Sequence, residues 1–223
     1  MAQRDAQTIR YSASEERFNR TSHALAGLGF LCGLAWLMLV ATRTGEPYRI
    51  VGSAVFGACL ILFYLTSTIY HSLRSDRWRQ LFRKLDHIGI YLLIAGTYTP
   101  ITLVTLRDGN GWAIFGTVWG LALAGILFKI FLVHQIPFLA PVLYVALGWL
   151  IVIDLDGLLT SMPLAGVVWL VAGGVIYTVG LVFYAINRIP HHHGIWHLFV
   201  AVGSLCHYLT ILWYVIPLSP GFD

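Results

Sequence analysis

At 223 residues, 58% of them hydrophobic and only 11% charged, with a mean hydropathy of +0.76, the chain has too little polar surface to cover a water-soluble globule of its size. Lipid is its expected solvent, and a soluble domain fits nowhere. The formal charge of +4 does not point to nucleic acid, because the basic residues flank apolar segments and no soluble fold is available to present them.

Residues 1–22 form a polar tail without the apolar core of a cleavable signal peptide, so the first apolar helix is expected to serve as its own insertion signal. Tyr11 and Phe18, set among charges, could lay this tail along the inner membrane surface. A helix rises about 1.5 Å per residue and must cross a hydrocarbon core of roughly 30 Å, which takes about 20 apolar residues. Seven runs qualify, near 23–42, 50–73, 86–106, 111–133, 138–158, 163–186 and 194–216. The transmembrane domain is therefore placed at 23–216, with a short outer tail at 217–223. Gly109-Asn110-Gly111, Gln135-Ile136-Pro137 and Ser161-Met162-Pro163 supply turn chemistry between spans. Cys32, Cys59 and Cys206 stand singly in apolar runs and read as small buried hydrophobes, not as a disulfide framework or a metal pair.

Orientation follows from the basic residues, which are retained on the cytoplasmic side. Arg4, Arg10, Arg17 and Arg20 lie in the tail, and Arg74, Arg77, Arg79, Arg83 and Lys84 in the second loop. Lys129 and Arg188 fall on the same side, whereas the opposite side holds only Arg43, Arg49 and Arg107. The predicted fold class is an all-α membrane protein, a seven-transmembrane helix bundle with the N-terminus inside and the C-terminus outside.

Ionisable residues inside spans are costly, and each is a functional lead unless it merely snorkels at an end. His71 closes the second span and Asp86 opens the third, while His193 and His197 open the seventh. The topology brings all four to the cytoplasmic face. Residues four apart share a helix face, so His193 and His197 can point at one ion, and Ser67 lies one turn from His71. In the run His191-His192-His193, only His193 has a histidine four positions on.

Three imidazoles with an open position for water form a known catalytic zinc arrangement. Asp86 could deprotonate that water, and the Ser67 hydroxyl could hydrogen-bond beside it. Blander readings exist for each residue taken alone. His71 could be a headgroup contact, Asp86 a helix cap, Ser67 a back-bond to its own helix, and His-x-x-x-His a chance spacing. Glu16, Asn19 and His23 could form a polar network below the site or be an ordinary helix entry. His207, about 15 Å beyond His197 along the helix, cannot share its ion but could line a cavity or bond a neighbouring helix.

The motifs Ser67-Thr68-Ile69-Tyr70-His71, Leu85-Asp86 through Tyr98-Thr99-Pro100, and His193-Gly194-Ile195-Trp196-His197 followed by His207 resemble the hemolysin III branch of the progestin and adipoQ receptor family. Glu16, Asn19 and His23 resemble its N-terminal motif, and the likeness runs over nearly the whole chain. The resemblance implies a seven-helix bundle in the bacterial inner membrane, with zinc on His71, His193 and His197 and Asp86 reaching it through water. It also implies kinship with membrane metal-dependent hydrolases, including alkaline ceramidases. The leading expectation is thus a zinc-dependent hydrolase of an amide or ester in a lipid-like substrate, with Asp86 and Ser67 at the reaction. A receptor-like or membrane-homeostasis protein with structural zinc is the alternative, and a cytolytic pore is a third. The expected partners are the bilayer and a lipid substrate; no feature sets an oligomeric state.

Overall fold

The computed structural model describes residues 11–131, 139–186 and 188–217. Arg4 and Arg10 of the tail, His134 with the Gln135-Ile136-Pro137 turn, and residues 218–223 of the outer tail lie outside the described residues.

Helix α1 spans Ala13–Arg43, α2 Pro47–Ser72 and α3 Asp76–Pro100, which continues as a π-helical turn over Ile101–Thr105. Then follow α4 (Gly111–Phe131), α5 (Leu139–Gly148), a 3-10 turn (Leu150–Asp154), α6 (Leu155–Ser161), α7 (Leu164–Ala185) and α8 (His192–Thr210), the last running into a second π-helical turn at Ile211–Val215. Taken with their continuations, seven helical segments among the described residues are long and apolar enough to cross a membrane. Without water, only such internally bonded backbone can cross the hydrocarbon region. Large apolar side chains such as Leu25, Trp36, Leu123 and Val168 accordingly face outward, as the lipid requires.

Two starts differ from the sequence expectation, for the same reason. Helix α1 begins at Ala13 rather than near residue 23 because Ser12 and Glu15 form a reciprocal capping box: the Glu15 amide bonds the Ser12 hydroxyl, and the Ser12 amide bonds the Glu15 carboxylate. Helix α3 starts at Asp76, ten residues before the expected Asp86, with Ser75 at its N-cap. In both cases nearly three turns of more polar helix precede the apolar run, so apolarity marks where the membrane begins and not where the helix does. Asp86 consequently sits inside α3 and caps nothing. Of the tail's described residues, Tyr11 and Phe18 point into the bundle and not along its surface: Tyr11 packs against the His193 ring and Phe18 against Gly194.

Helices α1, α2 and α3 pack in sequence, α7 packs on α8, and α1 against α8 closes the bundle. Phe56, Leu60, Phe63 and Tyr64 of α2 meet Phe30, Tyr91 and Tyr208 in a shared core. The α1–α8 contact depends on Gly194, where a Cβ would lie 2.2 Å from Cδ1 of Phe18 and 2.9 Å from Oδ1 of Asn19. Cys59 and Cys206 are buried as expected, whereas Cys32 is exposed on the outer side of α1.

The two ends of the bundle carry different polar chemistry. At the end away from the histidines, Arg49 donates to the carbonyls of Ile216 and Pro217, and Arg107 pairs with Glu46 at 3.0 Å.

Candidate metal centre

Antiparallel connections place the start of α1, the end of α2 and the starts of α3 and α8 at one end of the bundle. His71, His193 and His197 meet there, each buried, with one ring nitrogen apiece lying within 4.8 Å of the others. His71 is only 3% exposed, which removes the headgroup reading. His197 is fully buried.

Hydrogen bonds decide which nitrogens face inward. His71 donates through Nδ1 to Glu16 Oε2 at 2.7 Å, leaving Nε2 with no hydrogen-bond partner among the described residues. His197 has Nδ1 3.1 Å from the Asn19 carbonyl oxygen and 3.3 Å from Ser22 Oγ, and its Nε2 is likewise left over. Both nitrogens of His193 are unpartnered among the described residues. Buried polar atoms are nearly always paired, because leaving one bare costs about 1–3 kcal/mol. Three such nitrogens facing one point form a donor set that fits a metal ion, and these residues could hold one. The outer bonds to Glu16 and Asn19 are the kind that fix a ligating imidazole and its tautomer.

Asp86 and Ser67 complete the cluster. Asp86 is 3% exposed, has His71 and Ser67 as polar neighbours, and keeps Oδ1 unpartnered among the described residues. Ser67 is fully buried and does not bond back to its own helix, unlike Thr66, whose hydroxyl donates to the Leu62 and Phe63 carbonyls. The N-terminal network is also real but differs in form. Glu16 holds His71 and, through its other oxygen, Arg79; Asn19 acts through its backbone carbonyl; His23 stacks on His197 with ring centroids 3.5 Å apart. His207 does not join the cluster: its Nε2 lies 3.2 Å from the Leu170 carbonyl of α7, and its ring lines a cavity.

Three contributors were not visible as such in the sequence. Tyr11 stacks on His193 with centroids 4.9 Å apart, Ser22 reaches His197, and Arg79 engages Glu16. Ser22 stands one position before His23 with nothing to mark it, and Arg79 reads as one more basic loop residue. The helical spacing of Glu16, Asn19 and His23 was the available signal, and Ser22 falls on that face.

An apolar cavity opens from the cluster. Asp86 and His193 stand in its wall, and it runs along α3 to Ile101, about 20 Å of helix. Its other walls are Trp149 and Leu158 of the α5–α6 segment, Tyr177 of α7 and His207 of α8.

Comparison with known proteins agrees with this architecture. The family model described as "Haemolysin-III related" matches residues 11–208. The chain is 39% identical to Hemolysin-3 of Bacillus cereus over 203 residues, 91% of this chain and 93% of that protein. It is 38% identical to the Hemolysin-3 homolog of Bacillus subtilis (strain 168) over 206 residues, covering 92% and 97%. Monocyte to macrophage differentiation factor of Homo sapiens matches at 31% over 216 residues, 92% of this chain and 86% of that one.

Proposed function

The chain belongs to the hemolysin III branch of the progestin and adipoQ receptor family and is a multi-pass protein of the bacterial inner membrane, and from that premise we propose that it is a zinc-dependent hydrolase cleaving an amide or ester in a lipid-like substrate. The observation that carries this reading is the position of the histidine cluster: three imidazoles, each with an orphaned nitrogen, lie beside a buried carboxylate where an apolar cavity begins. A structural ion needs no such cavity, and a lipid hydrolase does.

Residues His71, His193 and His197 would hold the ion. Bound zinc would polarise a carbonyl and make its water acidic enough to attack near neutral pH. Asp86 takes the proton of the attacking water through Oδ1 and returns it to the leaving amine or alcohol. Ser67 steadies the Asp86 carboxylate, and Glu16 keeps His71 turned with Nε2 inward. The cavity receives the acyl chain and keeps bulk water from the linkage. Eleven basic residues against three favour a site facing the cytoplasm, with the N-terminus inside.

The test is hydrolysis of a panel of lipid amides and esters by the purified protein, with metal stripped by chelation and restored as zinc. Turnover that disappears and returns with zinc is the expected result. Turnover that is absent, or indifferent to the metal, overturns the proposal.

A further inference from the structure

A second concavity lies on the polar side of His71 and shares no wall residue with the apolar cavity. Its walls come from the first turns of α1, the end of α2 and the start of α3. They carry Arg17, Arg20, Arg74 and Arg79 against two acids, Glu16 and Asp76. The Glu16 carboxylate is already shared between His71 and Arg79, and Arg79 is only 6% exposed. Among the described residues of the wall, the remaining cations, Arg17, Arg20 and Arg74, are exposed and outnumber the one other acid.

His71 stands in the wall of this polar vestibule, while His193 and Asp86 stand in the wall of the apolar cavity. The histidine cluster thus marks the junction of a cationic chamber and an oily one. An amphiphile with its chain in the oily chamber puts its headgroup in the cationic one and its linkage between them. A quaternary ammonium would meet repulsion there, and a neutral polyol has no need of three guanidinium groups. Guanidinium forks match the oxygens of a phosphate. Retention of positive charge at the inner face explains why this end is basic, but not why three arginines wall a recess beside a buried ligand histidine. Arg77 and Lys84, exposed in the same segment but outside the recess, provide an internal control.

We propose that the vestibule walled by Arg17, Arg20 and Arg74 binds the anionic phosphate headgroup of a lipid whose linkage lies at the histidine cluster. The assignment rests on the hydrolase reading only in placing the linkage, and its test measures binding without turnover. Purified full-length protein in a non-ionic detergent, held in chelator so that phosphate cannot ligate a metal, is titrated calorimetrically with dihexanoyl phosphatidate, dihexanoyl phosphatidylcholine and inorganic phosphate. Phosphatidate is expected to bind about tenfold tighter than phosphatidylcholine, and Arg17→Gln/Arg74→Gln to lose about tenfold in that affinity. Arg77→Gln/Lys84→Gln is expected to bind as the wild type does, and added salt to weaken binding. The single variants Arg17→Gln and Arg74→Gln, each losing part of the affinity, carry the test if the double variant does not fold. Equal affinity for the two lipids, or an equal loss from the Arg77/Lys84 pair, overturns the proposal. Inorganic phosphate binding as tightly as phosphatidate overturns the lipid assignment in favour of a free anion. Zinc-dependent turnover of neutral lipids without phosphatidate binding would leave the hydrolase standing and remove the vestibule; phosphatidate binding without turnover would do the reverse.

Discussion

Glu16 Oε2 lies 2.7 Å from Nδ1 of His71, while the other oxygen of the same carboxylate is held by Arg79, so a residue of α1 sets the ring of an α2 histidine and is itself anchored by α3. A bond of this kind fixes which nitrogen of the imidazole is available to a metal, and its loss commonly costs 10–100-fold in affinity. Glu16→Ala is therefore expected to weaken zinc binding by about 10–100-fold, measured by competition with a chromophoric chelator. Glu16→Gln, which can still accept the Nδ1 proton, should lose less. Wild-type affinity in Glu16→Ala would mean that helix packing alone holds His71 in place.

Stoichiometry distinguishes the three clustered histidines from their neighbours. His191 is the N-cap of α8, with φ at +58° and its amide bonded to Glu15, and His192 has Nδ1 3.2 Å from the Phe183 carbonyl. Neither ring belongs to the cluster. Elemental analysis should find metal in the wild type, His191→Ala and His192→Ala, and little in His71→Ala, His193→Ala or His197→Ala. Equal metal in all of them would end the site.

Asp86 separates a catalytic site from a structural one. Its carboxylate has His71 as a neighbour without being one of the three converging ligands. Asp86→Asn preserves shape and removes the proposed base, so metal content should hold while turnover falls by about 10²–10⁴. Ser67→Ala should lower turnover less, since the hydroxyl is a neighbour of the carboxylate and not the proposed base. If Asp86→Asn keeps both metal and physiological effect, zinc is structural and the receptor-like reading replaces the hydrolase.

The spans, and the gathering of His71, Asp86, His193 and His197 at one end, were legible because lipid allows only apolar helices and helix direction alternates from span to span. Helix starts were less so, because Ser12 with Glu15 and Ser75 with Asp76 begin α1 and α3 in polar sequence that an apolarity threshold passes over. The Ser-x-x-Glu spacing at 12–15 was there to be read as a capping box. What no one-dimensional reading supplies is the rotation of α1 about its axis. That rotation sends Glu16 to His71 and the Asn19 carbonyl to His197, and it lays Phe18 over Gly194.

Because α1 approaches α8 so closely at Gly194, one methyl group there should be felt at the cluster. A Cβ would lie 2.2 Å from the Phe18 ring, forcing α1 away and stretching the Asn19–His197 contact. Gly194→Ala is expected to cost about 1–3 kcal/mol of stability and to weaken metal binding with it. Gly120→Ala, where a Cβ meets nothing within 4 Å, is the matched control and should not destabilise. Thermal unfolding in detergent reads both, and equal midpoints for the two variants would show that α1 yields at no cost.

Tyr98 stands in the cavity wall where the α5–α6 segment is interrupted. Helix α5 breaks at Gly148 and resumes as α6 at Leu155, which leaves backbone groups without helical partners at a depth where water is scarce. The Tyr98 hydroxyl serves two of them, donating to the Gly148 carbonyl at 2.9 Å and accepting from the Ile151 amide at 2.8 Å. Tyr98→Phe keeps the ring and removes both bonds, so it should cost about 1–3 kcal/mol. A lower unfolding midpoint, together with faster hydrogen exchange confined to residues 148–151, is the expected outcome. Unchanged exchange in that stretch would mean that the break is held by Trp149, whose Nε1 donates to Thr178 Oγ1 at 3.0 Å, and not by the tyrosine.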